Sequence, residues 1–338
     1  MDKNEINIFN YIMEYLDPEV SNILIKIPNI KKEVAEEIRL RNGRPLMIYA
    51  EGKDFYINKT GELSELSVDG FIIRNEHINR TFKLISNYSV YAFEEEIKNG
   101  FITLKGGHRV GISGKTVYGK SGIETIKNIS SLNIRIAKEK LGVSEKVIKY
   151  LINYPSSIYN TLIVSPPQCG KTTLLRDIIR NISDGIPSYK FLGLKVGVVD
   201  ERSEIAGMYN GVPQNNIGNR TDILDGCLKH DGIRMLIRSM SPQVIATDEL
   251  GGYEDIQAIH EALKAGVNIL ATVHGEDLED LISNEAMKKI IEEKIFKRII
   301  ILDNSKGVGT IRDVIDGNSF SSIIHWEEGL YGWFKVNR

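Results

Sequence analysis

The sequence predicts a two-domain α/β protein, in which a smaller α+β domain precedes a parallel sheet covered by helices. Three observations support this prediction. The 338-residue chain exceeds the size of one typical domain. From residue 160 onward, short apolar strands alternate with amphipathic helices, as they do in proteins with parallel sheets. Before that point, alternating strands and glycine-rich turns predominate. We therefore expect an N-terminal domain over 1–140 and a second domain over 141–338.

The composition fits a folded protein of a reducing compartment. Apolar residues make up 42% of the chain and charged residues 26%, which suits a sizeable core. The 43 Lys and Arg against 45 Asp and Glu leave a net charge of −2, which argues against a dedicated nucleic-acid binder. Cys169 and Cys227 are too few for a disulfide framework or a zinc cluster. No apolar run approaches the roughly 18 residues of a membrane span, so we expect a cytoplasmic protein that reaches membranes only through partners.

The N-terminal half reads as short elements separated by turns. Apolar residues at helical spacing predict the first helix, and alternation between apolar and polar residues predicts the strands. In order, we expect a helix over 4–16, three short strands within 38–57, two helices within 75–99 broken near Asn87, glycine-punctuated hairpins over 101–122, a strand within 130–142 and a helix over 143–153.

In the C-terminal half, predicted strands and helices alternate more regularly. Its strands are almost wholly apolar, which indicates a sheet buried on both faces. We expect strands over 161–165, 196–200, 244–248, 268–274 and 298–303, separated by helices over 171–182, 253–265 and 284–294 and a helical region over 221–240.

The strongest motif lies between the first of these strands and the first helix. It resembles a P-loop, in which backbone N–H groups at a helix N-terminus bind phosphate oxygens. Lys171 would reach the β- and γ-phosphates of ATP, and the Thr172 hydroxyl would bind Mg²⁺. Ser165 stands where the P-loop pattern has its first glycine. The predicted nucleotide-binding loop comprises Ser165, Pro166, Pro167, Gln168, Cys169, Gly170, Lys171, Thr172 and Thr173.

Polar residues end three further predicted strands. Asp248 and Glu249 follow an apolar strand that we expect beside the P-loop strand, so that Asp248 supports the metal through water and Glu249 polarises the attacking water. His274 ends another strand and is positioned to sense the γ-phosphate, although a structural histidine would leave the same pattern. Asp200 and Glu201 end a third strand at the same carboxyl edge, where we expect them near the nucleotide, although a solvated loop would leave the same pattern.

Two other segments allow both a functional and a structural interpretation. Arg234 and Arg238 are four residues apart on a predicted helix, where one could stabilise transition-state charge or both could form a solvated face. The segment GGHRVGISGK (106–115) reads as a hairpin that needs no ligand. His108 and Arg109 within it would matter for function only if the hairpin faces a nucleotide.

Several motifs together resemble the stage III sporulation protein AA family. The likeness extends over roughly residues 35–275, and that family is similar to the type II and type IV secretion ATPases of the RecA-like P-loop class. The segments that carry it are IRLRNGRPL (38–46), GGHRVGISGK (106–115), SLNIRIA (131–137), PPQCGKTTLLRD (166–177), VDERSEIAG (199–207), RTDILDGC (220–227), LIRSMSPQVIATDELG (236–251) and ATVHG (271–275).

The resemblance implies a RecA-like core and a self-assembling, hexameric ring that hydrolyses ATP with Mg²⁺. Such a ring would dock on membrane-embedded channel proteins that link mother cell and forespore. By position, Asp200 and Glu201 match the acidic box of the secretion ATPases, and His274 matches their histidine box. The general base would be Glu249 or Glu201, of which we prefer Glu249.

The same resemblance implies that an arginine from a neighbouring subunit completes the site. Arg238 is our first candidate, and Arg109 and Arg135 in the N-terminal domain are the alternatives.

Two other functions are compatible with these motifs. RecA-like cores also drive nucleic-acid-stimulated ATPases, and basic runs in the N-terminal half favour that class, whereas the near-neutral charge opposes it. A non-hydrolysing nucleotide-binding scaffold is the other alternative, because of Ser165. At the C-terminus, the aromatic residues Trp326, Tyr331, Trp333 and Phe334 suggest a small strand pair or an interface patch.

Overall fold

The computed structural model describes residues 3–89, 93–120, 122–283 and 285–324. The aromatic residues of the C-terminal segment, from Trp326 onward, lie outside these ranges. The chain divides into two compact units. The first runs to Lys138 and includes the short segment Tyr209–Gln214, and the second comprises Glu139–Met208 and the chain from Asn215 onward.

The first unit is an antiparallel sheet with helices. Its seven strands follow the spatial order β4-β3-β2-β1-β7-β6-β5, and alternate residues such as Ile38 and Leu40 are wholly buried. Its second helix begins where Asp17 accepts hydrogen bonds from two backbone N–H groups, ahead of a proline at the first helical position. The elements are α1 (Lys3–Ile12), a 3-10 turn (Met13–Tyr15), α2 (Pro18–Leu24), α3 (Asn29–Val34), β1 (Ala35–Arg41), β2 (Met47–Ala50), β3 (Lys53–Ile57), β4 (Leu63–Ser64), α4 (Asn75–Ile85), α5 (Glu94–Lys98), β5 (Phe101–Thr103), β6 (Arg109–Gly119) and β7 (Gly122–Arg135).

The second unit is built on an eight-stranded sheet in the order β12-β11-β13-β14-β10-β15-β16-β17. The first six strands of that order are parallel, and β16 and β17 add an antiparallel edge. The elements are α6 (Ile148–Leu151), β8 (Ile152–Asn153), β9 (Ser157–Ile158), β10 (Thr161–Ser165), α7 (Lys171–Asp184), a 3-10 turn (Pro187–Tyr189), β11 (Val196–Asp200), β12 (Thr221–Asp225), α8 (Lys229–Ser239), β13 (Val244–Thr247), α9 (Tyr253–Lys264), β14 (Asn268–His274), α10 (Leu278–Ser283), α11 (Glu285–Glu292), β15 (Arg298–Asp303), β16 (Thr310–Asp316) and β17 (Ser321–Ser322).

Each strand of the parallel sheet sends alternate side chains to two separate cores. In β10, Ile163 packs in one core with apolar residues of α7, whereas Leu162 and Val164 pack in the other with residues of α8, α9 and α11. Burial on both faces explains why these strands are continuously apolar in the sequence. The result is the α/β fold that the sequence predicts, with helices on both faces of a largely parallel sheet.

Three observed elements differ in their bounds from the sequence predictions. The helical region over 221–240 begins instead with β12, a half-exposed strand that pairs with β11 at one edge of the described sheet. The strand within 130–142 is the end of the longer β7, which starts at Gly122. The helix over 143–153 is reduced to α6. Each segment is short and mixes polar with apolar residues, so its periodicity carries little information.

The position of β13 is a further correction. We expected this strand beside the P-loop strand, but β14 lies between them and pairs with both β13 and β10. Strand order follows from how the chain crosses over the sheet, which residue periodicity does not encode. The carboxyl ends of all three strands still meet at one edge of the sheet.

No helix among the described residues is both long and apolar enough to cross a bilayer.

Candidate functional site

Two residues of the loop between β10 and α7 have a left-handed backbone. Gln168 and Gly170 have φ angles of 60° and 87°, in the left-handed region, and Gly170 immediately precedes the helix. Ser165, at the position of the missing glycine, is the buried last residue of the extended strand β10. Its Oγ donates to the carbonyl of Pro166 at 2.7 Å. A serine therefore fits here without a left-handed backbone.

The helix α7 presents its first turn to this loop. Its apolar face is buried against the sheet through Leu174, Leu175, Ile178, Ile179 and Ile182. The first intrahelical bond at this end runs from Leu174 N to Gly170 O, so the N–H groups of residues 171–173 have no acceptor within the helix. Thr172 and Thr173 are half-buried at this end, and Cys169 is buried, which raises the pKa of its thiol.

Lys171 lies at the centre of a polar cluster. Its Nζ is 2.6 Å from Nδ1 of His274 and 3.4 Å from Oε1 of Glu249. The side chain is buried, and this burial lowers the pKa of Lys171. A buried ammonium group at the N-terminus of a helix is suited to bind a strongly anionic ligand.

Glu249 contacts three residues of this cluster. Its Oε1 is 2.8 Å from Nε2 of His274, and its Oε2 is paired with Arg202. Burial acts to raise the pKa of Glu249, but the charges of Lys171, Arg202 and His274 outweigh burial and lower it. The carboxylate is therefore ionised at neutral pH.

Asp248 is the least satisfied polar group of the cluster. It is 2% exposed, and its Oδ1 has no hydrogen-bond partner among the described residues. Burial and the negative charge of Asp200 raise the pKa of Asp248 to about 7. A cation or a water bound to one would satisfy the orphaned oxygen. The donors here fit Mg²⁺, which usually takes few protein ligands besides phosphates and waters. Within the described ranges, no group of three or more His, Cys, Asp or Glu residues could hold a metal.

Asp200 and Glu201 lie at the same edge but have other partners. Asp200 is wholly buried and accepts hydrogen bonds from the backbone N–H groups of Glu204, Ile205 and Ala206, at 2.9, 3.0 and 2.8 Å. Burial raises the pKa of Asp200 despite these donors. The Glu201 carboxylate is paired with Lys229, the first residue of α8.

The structure does not bring Arg234 or Arg238 to this cluster. Arg238 is exposed near the far end of the 11-residue helix α8, roughly 14 Å from Lys229 at 1.5 Å per residue. Arg234 binds Glu261 through two nitrogens, at 3.0 Å from Nε and 3.0 Å from Nη2.

The candidates of the first unit have local partners. Arg109 stacks on Phe101 at 3.6 Å from the ring centroid, and Arg135 Nε is 3.4 Å from Oε1 of Glu37. His108 is buried, its Nδ1 accepts from the Ala137 N–H at 3.0 Å, and burial lowers its pKa to about 4. This histidine is a structural residue.

Sequence reasoning missed the roles of two residues that shape the site. In the sequence, Arg202 stands out only as a basic residue among the acidic residues Asp200, Glu201 and Glu204. Arg176, on the polar face of α7, donates to the carbonyls of Ile205 and Glu204 at 2.7 and 2.6 Å. A third residue, Thr272, lies on the strand that ends at His274, where the sequence predicts polar residues at the nucleotide edge. It is buried, and its hydroxyl accepts from the Glu249 N–H at 2.8 Å.

Comparisons with solved structures agree with this fold. The pilus retraction motor PilT, solved with bound ADP, matches with a TM-score of 0.52 and 16% identity, over 88% of this chain and 80% of that protein. The ATPase DotB of Legionella pneumophila matches with a TM-score of 0.50 and 17% identity, over 79% of this chain and 71% of that protein. At these identities the likeness shows the fold alone. It confirms the RecA-like α/β fold that the resemblance implies.

Comparisons of sequence identify the family. The profile of the family described as "Sporulation stage III, protein AA" matches residues 8–321. Stage III sporulation protein AA of Bacillus subtilis (strain 168) is 42% identical over 314 residues, which cover 92% of this chain and 97% of that protein. The chain belongs to the stage III sporulation protein AA family.

Proposed function

We propose that this protein is an ATP-hydrolysing motor of the secretion-ATPase type, with residues 141–338 as its ATPase domain. One observation carries this proposal. Lys171, Glu249 and His274 come from three parts of the chain and meet at the carboxyl edge of a parallel sheet. Next to them lies the buried Asp248, whose Oδ1 has no partner among the described residues. Ligands of open α/β sheets bind at this edge.

The residues of the loop divide the binding of MgATP between them. Lys171 and the N–H groups at the start of α7 would hold the phosphates. The hydroxyl of Thr172 and, through water, the carboxylate of Asp248 would hold Mg²⁺. The cation would neutralise charge between the β- and γ-phosphates.

The contacts of the two candidate bases favour Glu249. Glu201 is occupied by Lys229, whereas Glu249 stands beside Lys171, which would bind the γ-phosphate. An ionised Glu249 can accept a proton from a water aligned for in-line attack. His274 contacts both Lys171 and Glu249, which places it to respond to the presence of the γ-phosphate.

The family membership supports a wider role in sporulation. We propose a homo-oligomeric, hexameric ring at the cytoplasmic face of a membrane complex, where it powers or assembles a channel between mother cell and forespore. Arg238, being exposed, is available to a neighbouring subunit, and Arg109 and Arg135 are the alternatives for a trans arginine. Hydrolysis would then depend on assembly.

The test is ATP hydrolysis by the purified protein as a function of protein concentration. Turnover per subunit should rise with concentration in the wild type. Glu249→Gln should bind ATP and lose about 100-fold or more of the turnover. Glu201→Gln, at the competing base, is the matched control and should retain more turnover than Glu249→Gln. Normal turnover by Glu249→Gln would refute the assignment, and ATP binding without hydrolysis in the wild type would favour the scaffold.

A further inference from the structure

We propose that Arg202 is a positioning residue that holds one carboxylate oxygen of Glu249, so that the other oxygen is aimed at the attacking water. This inference rests on the proposed function. The two carboxylate oxygens of Glu249 have different partners: Oε2 is paired with Arg202, whereas Oε1 faces His274 and Lys171. The two oxygens of this base are therefore not equivalent.

The loop that carries Arg202 is held by buried backbone contacts. The carboxylate of Asp200 binds three consecutive N–H groups of the 201–206 loop. On the carbonyl side, Arg176 binds two carbonyls of this loop, and Asn215 Nδ2 donates to the carbonyl of Ile205 at 3.0 Å. Charge-assisted bonds of this kind fix geometry more firmly than neutral ones. The position of Arg202 is thus set by the fold, although its own side chain is 52% exposed.

The main chain of Glu249 is fixed from the opposite side. Its N–H donates to Oγ1 of Thr272, and the next N–H, of Leu250, donates to the Thr272 carbonyl at 2.8 Å. Glu249 has a φ angle of 39°, a left-handed conformation that is costly for a side chain with a Cβ. Strain of this kind persists at functional sites, where surrounding contacts enforce it.

Because the Arg202 loop and the main chain of Glu249 are both fixed, only the Glu249 side chain remains to be positioned. Bound triphosphate would take over Lys171, which removes one partner from Oε1. Oε2 would stay on Arg202, so the carboxylate keeps its orientation while Oε1 becomes available to water. Without Arg202, the carboxylate is drawn towards Lys171 and His274 and loses this alignment. Small misplacements of a base are costly to the rate, because the reacting atoms must be aligned.

The test compares Arg202→Ala and Arg202→Lys in steady-state ATP hydrolysis by the full-length protein. Arg202→Ala should lower kcat about 10- to 100-fold with KM changed less than about twofold, since Arg202 contacts no predicted phosphate ligand. Arg202→Lys, which keeps the charge, should recover part of the loss. Arg312→Ala is the matched control, because this arginine pairs at 3.9 Å with Asp277 outside the cluster, and it should behave as wild type.

A double-mutant cycle with Glu249→Gln separates positioning from an independent effect. If Arg202 acts through Glu249, adding Arg202→Ala to Glu249→Gln should cause no further loss of kcat. Losses that multiply, a raised KM with kcat intact, or an unchanged kcat would each overturn the proposal while leaving the proposed function in place. No turnover by the wild type, or full turnover by Glu249→Gln, would overturn both. Thermal melts and binding of a fluorescent ATP analogue confirm that each variant is folded.

Discussion

Two segments that carry basic residues, the hairpin GGHRVGISGK (106–115) with four glycines and the phosphate loop (165–173) with one, have opposite surroundings. In the first unit, His108 is buried with its Nδ1 satisfied by the Ala137 N–H, and Arg109 stacks on Phe101. In the second unit, Lys171 is buried against His274 and Glu249, beside a carboxylate oxygen of Asp248 that has no partner among the described residues.

The difference teaches that glycine content does not identify a ligand site. In the hairpin, Gly114 allows close approach of two strands, since a Cβ there would lie 2.7 Å from the carbonyl of Lys127. In the phosphate loop, Gly170 supplies the left-handed turn into α7. What separates the two segments is their surroundings: His108 and Arg109 have local structural partners, whereas Lys171 lies in a polar cluster beside an oxygen of Asp248 that has no partner among the described residues.

The largest effect should come from Lys171→Ala. Losing an ammonium group that binds phosphate should weaken ATP binding by at least about 100-fold, because charge-assisted bonds to phosphate are strong. A titration with a fluorescent ATP analogue measures the affinity. His108→Ala is the control from the other segment and should bind ATP as the wild type does. Weaker binding by His108→Ala than by Lys171→Ala would reverse the comparison.

The next effect concerns stability. His108→Ala should lower the free energy of unfolding by about 2–3 kcal/mol, because it leaves a buried N–H unsatisfied and opens a cavity. His274→Ala, whose side chain is 47% exposed, should change that free energy by less than about 0.5 kcal/mol. Urea unfolding followed by circular dichroism measures both. Equal losses would mean that His274 is also a structural residue.

A pH dependence should follow from the same histidine. The pKa of His108 is about 4 in the folded protein, against about 6.5 when unfolded. The unfolded chain therefore binds the proton first, and stability present above pH 6.5 is lost as the pH falls towards 4. Between pH 7 and pH 5 the wild type should lose about 2 kcal/mol more than His108→Ala does. Parallel pH profiles for the two proteins would exclude His108 as the cause.

The smallest effect is expected from Ser165→Gly. Ser165 is in extended backbone and its hydroxyl bonds only to the adjacent Pro166 carbonyl. Restoring the usual glycine should change ATP turnover by less than about twofold, since no strain is relieved. Steady-state hydrolysis is the measurement. A large gain would show that Ser165 limits this enzyme and would strengthen the scaffold alternative for the native chain.

Much of the fold was predictable because its pattern is strong. The strand over 161–165 is wholly buried and has the predicted bounds, since continuous apolar runs mark central parallel strands. The edge strand β12 was missed because Asp222 and Asp225 interrupt it. The order of β13 and β14 was missed because periodicity predicts the type of an element and not its neighbours.

The site was predictable to a similar degree. Residues at the carboxyl ends of parallel strands meet at one edge, so Glu249 and His274 could be placed together in advance. Arg202 and Arg176 could not, because their partners lie 47 and 28 residues away and nothing in the local sequence indicates the pairing. Such contacts depend on loop conformation, which is decided by backbone hydrogen bonds instead of residue pattern.

The crossover topology also has a consequence for the order in which the chain folds. Residues that pair across the β6–β7 hairpin, such as Ser113 and Ser131, are 18 positions apart, whereas Lys171 meets His274 across 103 positions. Closing the shorter loop costs less entropy, so the hairpin can form while later segments are still being synthesised. The contact between Lys171 of the phosphate loop and His274 can form only after β14 has left the ribosome. A nascent chain that stops before residue 274 therefore lacks His274 and the end of β14, on which the polar cluster around Lys171 depends.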